Sequence, residues 1–139
     1  HPHVCVFRKA HPLIGDQLTT ELYLELGHIH ISSRRGGLGH IDLALGKMGK
    51  RRRITLRTQH YLATPEVVSR TDLVLTVPRV FADFLVAQYS VRYLELPFTA
   101  PNLETHLYWH ESTDQDRANR WMREILLDLP SKLPWHQPV

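Results

Sequence analysis

Ten histidines, one cysteine and a few hydroxyl-, arginine- and glycine-rich stretches are what this 139-residue chain offers for chemistry. His28 and His30 alternate within a strand-like stretch, so both imidazoles share a face. Two such rings start a zinc site, but a third ligand is needed and no spacing supplies one. Polar strand positions near the surface are the plainer reading. Cys5 stands between Val4 and Val6, where a buried, inert thiol is expected. Ser32 and Ser33 lie near His40 and Asp42 in sequence, which is not a triad geometry. No Gly-x-Ser-x-Gly elbow occurs, and Gly36-Gly37-Leu38-Gly39 is neither a dinucleotide fingerprint nor a phosphate loop. Residue types and spacing therefore give an enzyme little support.

Binding chemistry is better represented. Residues 32–37, Ser-Ser-Arg-Arg-Gly-Gly, run from a strand end into a helix start. Free N–H groups and the positive end of the helix dipole favour an anion there, and hydroxyls and guanidiniums add donors suited to a carboxylate. An exposed, capped loop is the competing reading. His60-Tyr61 follows a strand, at the end where open α/β sheets gather ligands. His60 could donate to an acid and Tyr61 could stack on a ring. Lys50-Arg51-Arg52-Arg53 is the obvious basic run. It lacks the aromatic interleaving or recognition helix of a nucleic-acid site, so a solvated helix-to-strand connection is expected.

The elements that must carry these residues alternate strand and helix. His3–Arg8 is apolar and β-branched, a well-buried strand that opens almost at residue 1 and suggests a piece of something longer. Thr19 or Thr20 caps a helix over residues 21–26, ended by Gly27. Residues 28–32 form a strand. Leu38, Ile41, Leu45 and Met48 make one helical face, stopped by Gly49. Arg53–Thr58 alternates and is half-exposed. Pro65 opens a short helix to Arg70 with Val67 and Val68 inward. Residues 72–77 are apolar throughout, a strand covered on both faces. A helix near residues 80–87 and a strand over 91–94 follow, then a proline-bearing connection over 96–102. Residues 103–109 read as a strand and 114–129 as the clearest helix, with a capping box from Ser112 to Gln115. Its apolar stripe is Ala118, Trp121, Met122, Ile125 and Leu129. Pro130, Pro134 and Pro138 leave a non-helical tail. The pattern is α/β with a partly parallel sheet.

Composition narrows the class. With 42% hydrophobic and 22% charged residues the chain is globular, and disorder, collagen and coiled coil are set aside. No apolar run approaches the roughly 20 residues of a membrane span. A single cysteine excludes an internal disulfide framework and leans towards a reducing compartment, and no signal peptide opens the sequence. A formal charge of +3 permits an anionic partner.

These pieces, in this order, resemble the effector-binding domain of LysR-type transcriptional regulators. The resemblance covers most of residues 3–129. It rests on Val4 to Leu13 (Val-Cys-Val-Phe-Arg-Lys-Ala-His-Pro-Leu), Gly27-His28-Ile29, Gly39-His40-Ile41-Asp42, His60-Tyr61-Leu62-Ala63, Arg70-Thr71-Asp72-Leu73 and Thr76-Val77-Pro78-Arg79. Trp109-His110, then Asp116 and Trp121-Met122-Arg123, is its most specific part. The set looks like the branch sensing small aromatic acids or flavonoid-type inducers.

The resemblance implies a type 2 periplasmic-binding-protein-like fold of two α/β subdomains with the effector cleft between them, the first subdomain incomplete in this chain. Residues from about 4 to 93 would form subdomain two. Residues 103–129 would return to subdomain one, and 130–139 would be a loose tail. It also implies a ligand-sensing, non-enzymatic role in a cytoplasmic homo-oligomer, with no cofactor, metal or membrane partner. DNA would be bound through a helix-turn-helix domain absent from this chain. By position the cleft would be lined by His1, Leu38, Val80, Phe98 and Thr105, with Ser32, Ser33, His60 and Arg79 supplying polar groups. The branch often has histidine at Leu38 and arginine at Val80, a departure that allows a bulkier or more neutral inducer. An extracytoplasmic solute-binding protein of the same architecture is the alternative.

Overall fold

The computed structural model describes residues 1–32 and 39–132. Its contacts separate two units, His1–Leu103 and Glu104–Val139. The first is built on a five-stranded sheet of order β3-β2-β4-β1-β5. Its strands are β1 (His3–Arg8), β2 (Gly27–Ile31), β3 (Arg53–Thr58), β4 (Val74–Pro78) and β5 (Val91–Glu95). β2 runs parallel to β3 and β4, while β1 runs antiparallel to β4 and β5.

The four inner residues of β1 are all buried because both faces of the sheet are covered. Val4 and Val6 point one way, into a core with Ile29, Leu75, Val77 and the apolar sides of α3 (Thr64–Arg70) and α4 (Arg79–Gln88). Cys5 and Phe7 point the other way, into a core with Val74 and residues of α1 (Thr20–Glu25) and α2 (His40–Lys47). Burial pushes the Cys5 thiol up to about 12, so it is an inert packing group.

Local signals set the boundaries. Thr19 caps α1 by accepting from the Leu22 N–H at 3.2 Å. Leu26 ends that helix, and Gly27 instead opens β2, since a Cβ there would come within 2.8 Å of both the Leu73 and Thr55 side chains. Gly49, at φ 67°, stops α2. The Lys50 N–H reaches the Leu45 carbonyl at 2.9 Å and the Gly49 N–H that of Gly46 at 3.0 Å, a Schellman closure.

The second unit departs from the expected pattern. Residues 104–109 form no strand: among the described residues of this unit no other strand is present, and a ladder needs a partner for its N–H and C=O groups. A 3-10 turn, Glu111–Thr113, precedes α5 (Arg117–Lys132). The helix starts at 117 because Asp116 accepts from the Asn119 N–H at 2.8 Å, while Ser112 is engaged with His110 instead of forming the expected box. Pro130 lies inside the last turn, so the helix outlasts the expected stop at Leu129. No residue of α5 is buried, and Trp121, Met122, Ile125 and Leu129 stay 40–60% exposed. Among the described residues no helix is long and apolar enough to cross a membrane.

Candidate functional site

β2 and β4 are adjacent and parallel, but the chain leaves them in opposite directions. From β2 it passes through α2 to β3, and from β4 through α4 to β5, with α2 and α4 on opposite faces of the sheet. Divergence of this kind opens a crevice beyond the strands' carboxyl ends. A hollow of about 280 Å³ lies there. Ile29, Ile31, Thr76, Val77 and Pro78 form its sheet side, and Gly39, His40 and Ile41 its α2 side. His3, His30, Arg52, Tyr61 and Leu103 complete the wall. It is at the small end of ligand pockets, which run from about 300 to 1,000 Å³.

A buried polar network holds the wall. Arg52 grips Asp42 with both ends of its guanidinium, Nε to Oδ1 at 2.7 Å and Nη2 to Oδ2 at 3.0 Å. Burial opposes the Arg52 charge, but the bonds to Asp42 outweigh it and hold the group above its ordinary value. Burial likewise opposes the Asp42 charge, and Arg52 reverses the balance and lowers it. Arg52 therefore does not belong to a solvated basic run, although Arg51 and Arg53 beside it are exposed. Arg52 Nη2 also donates to His30 Nδ1 at 3.4 Å, which leaves Nε2–H as the ring's donor. Tyr23 and Thr76 share a hydroxyl–hydroxyl bond of 2.8 Å. Burial, then Arg52, lowers His30, and burial lowers His3, so both rings are neutral at pH 7. The hollow thus presents the neutral rings of His3 and His30, the hydroxyls of Thr76 and Tyr61 and an apolar lining, with Arg52 already neutralised by Asp42.

His28 and His30 are both buried, which corrects their reading as near-surface positions: Tyr23 of α1 covers His28, and Gly39 and Arg52 cover His30. Among the described residues no group of three or more metal-binding side chains converges.

The structure distributes the other expected site residues widely. The His1 amine donates to the Leu103 carbonyl at 2.8 Å, beside the hollow's wall. Ser32 directly follows β2, and its N–H bonds the Thr58 carbonyl at 2.9 Å. Ser33, Leu38 and the rest of residues 33–38 lie outside the described residues. His60 is exposed, while its neighbour Tyr61 lines the hollow, its ring edge-on to Phe81 at 5.8 Å. The Arg79 guanidinium is engaged with Glu95 on β5. Val80 is half-buried in the first turn of α4. Phe98 packs edge-on against Tyr23 at 5.2 Å and faces a separate hollow against α2. Thr105 is an exposed residue of the second unit. Thr76, His3 and Arg52 were missed as site residues. The available signal was a hydroxyl interrupting the apolar run of β4.

Gly39 fits tightly against this wall, since a Cβ there would lie 2.9 Å from His30 Cε1. Gly39→Ala therefore forces the His30 ring or the start of α2, both part of the hollow's wall, to shift. Ligand affinity should fall about tenfold or more in a calorimetric titration, with the melting temperature nearly unchanged.

A mixed sheet covered on both faces, with a small-molecule hollow at a switch point, defines a type 2 periplasmic-binding-protein-like α/β domain. The chain belongs to the LysR substrate binding domain family, whose model matches residues 1–130. It is 34% identical over 127 residues to the HTH-type transcriptional activator NahR of Pseudomonas putida, covering 91% of this chain and 42% of that protein. To NagR of a Ralstonia species, also an HTH-type transcriptional activator, it is 30% identical, covering 95% and 44%. The regulatory domain of MexT, a transcriptional activator in Pseudomonas aeruginosa, has a similar fold, with a TM-score of 0.73 at 24% identity over 90% of this chain and 61% of that one. The chain spans about two fifths of the length of these two curated relatives.

Proposed function

We propose that the chain is the effector-sensing part of a LysR-type transcription regulator and not an enzyme. A small aromatic inducer enters the hollow at the carboxyl ends of β2 and β4. Its plane lies against Tyr61, Ile31 and Pro78, and its polar group meets Thr76 and His30. Ser32 directly follows β2 and Val80 lies two residues past β4, so both stand in sequence where the rim would be. The observation that carries this reading is the coincidence of a lined hollow with the switch point of a domain in this family. Neutral His3 and His30 and a neutralised Arg52 favour a weakly acidic or neutral aromatic over a strongly charged one.

In this reading the inducer binds two arrangements of a cytoplasmic homo-oligomer unequally. That difference moves the DNA-binding heads carried elsewhere in the protein. The matched relatives named as transcriptional activators support regulation over extracytoplasmic solute capture.

A ligand that binds only the folded state raises stability by about 2.7 kcal/mol at a hundred times its dissociation constant. A panel of aromatic acids and flavonoids titrated against the intact protein should therefore raise the melting temperature by several degrees for at least one compound. No shift for any compound at millimolar concentration overturns the proposal.

A further inference from the structure

A second hollow, of about 810 Å³, opens beside the Asp42–Arg52 pair on the α2 side of the sheet and plays no part in the reading above. Its floor is apolar, formed by Leu24 of α1 and Ile54 of β3. Lys50, Arg51, Arg52, Arg53 and Arg57 surround that floor, with Asp42 as the only carboxylate among the lining residues. A chain with 17 basic and 14 acidic side chains thus gathers five of its cations around one cavity. Asp42 neutralises Arg52, and Lys50 stands 3.8 Å from Glu21. The Arg53 side chain has a 3.4 Å bond to the Glu25 carbonyl, and among the described residues no side-chain hydrogen bond or ion pair engages the guanidiniums of Arg51 and Arg57.

Two backbone features shape the hollow. In β3 a bulge lets His28 pair with Ile54 while Ile29 pairs with Leu56 and His30 with Arg57. The extra residue, Thr55, turns Ile54 and Arg57 to the same face, which regular alternation over three residues would forbid. An apolar floor residue and a cation are thereby aimed into one cavity. On the opposite wall, α2 presents Gly46, where a Cβ would meet nothing within 4 Å. Gly46 lies in the last turn of α2, and a larger side chain there would extend into this space.

We propose that this hollow is a second ligand site, for a small organic phosphate whose apolar body rests on Leu24 and Ile54. Arg51, Arg53 and Arg57 all line this hollow, and guanidiniums suit a doubly charged oxyanion because each offers a fork of donors to its oxygens. The apolar floor makes inorganic phosphate alone a poorer ligand than its aryl ester.

The test is calorimetric titration of the intact protein with phenyl phosphate, inorganic phosphate and a short DNA duplex. Phenyl phosphate should bind more tightly than inorganic phosphate. Arg57→Gln and Arg51→Gln should each weaken it about tenfold or more. Gly46→Leu, which puts a branched side chain into part of the hollow and leaves every cation in place, should weaken phenyl phosphate binding about tenfold or more. Both arginines are exposed, so their replacement leaves folding intact. Binding of phenyl phosphate that survives Gly46→Leu and Arg57→Gln belongs to another site and overturns the proposal, as does equal affinity for the ester and the free ion. Duplex binding that needs Arg51 and Arg57 but ignores Gly46→Leu also overturns it, in favour of a nucleic-acid surface.

Discussion

Asp42→Asn lowers the unfolding free energy by about 3–5 kcal/mol, measured by urea denaturation at pH 7, because it leaves a buried guanidinium without its counter-charge. The Arg52 side chain is 3% exposed and that of Asp42 14%, so water replaces the lost carboxylate only poorly. Asparagine keeps an oxygen able to accept from the Gly39 N–H, which the carboxylate does at 3.3 Å, so the loss reports charge and not a missing cap. Removing both charges, with Arg52→Met and Asp42→Leu together, should recover most of the stability, since apolar replacements of whole buried pairs are often neutral. A loss under about 1 kcal/mol in the single variant contradicts this account of the wall. Because Asp42 is held below its ordinary 3.8, the stability it confers is present above that pH and is lost as pH falls through its lower folded value.

His28 supplies a second large effect, in a different pH window. Its ring is fully buried against Tyr23 at 4.4 Å, and Nε2 donates to the Tyr23 carbonyl at 2.6 Å. Nδ1 is buried with no partner, so a second proton would have no acceptor. Burial lowers this histidine from 6.5 to about 4. The unfolded chain takes up the proton first as pH drops, so the stability from neutral His28 is full above 6.5 and disappears towards pH 4. The difference amounts to about 3 kcal/mol. Urea unfolding of the parent protein should weaken by at least that amount between pH 7 and pH 4. In His28→Gln the slope should shrink to the smaller part that His3 and His30, lowered in the same direction, contribute. Equal slopes in the two proteins would show that His28 titrates normally.

Much of the first unit was legible because its signals are local. The apolar run of β1 and the alternation of β3 give the observed bounds, and Thr19 and Gly49 mark helix ends through their own backbone chemistry. Features that depend on distant partners were hidden. Arg52 sits in a run of four basic residues, and only its meeting with Asp42 removes it from water. His28 and His30 look like surface polar residues until Tyr23, Gly39 and Arg52 cover that face of β2. The bulge at Thr55 leaves no mark in composition, yet it decides which way Arg57 points. Residues 103–109 have strand-like composition, and strands form only where a ladder completes them.

The candidate site was legible in outline. The carboxyl ends of strands were the expected place, and Tyr61 was read as a stacking ring. Arg79 was expected to anchor a ligand, but β5 brings Glu95 to it. The spacing of residues 79 and 95 could not reveal that pairing.

The most direct test follows the histidine ring protons by NMR while an aromatic acid that raises the melting temperature is titrated in. His3, His30 and His40 line the hollow at the carboxyl ends of β2 and β4, whereas His106 and His110 lie in the other unit. The account predicts saturable shifts of the His30 and His40 rings, with His106 and His110 unmoved. Saturable binding that leaves the His3, His30 and His40 rings unperturbed would contradict it.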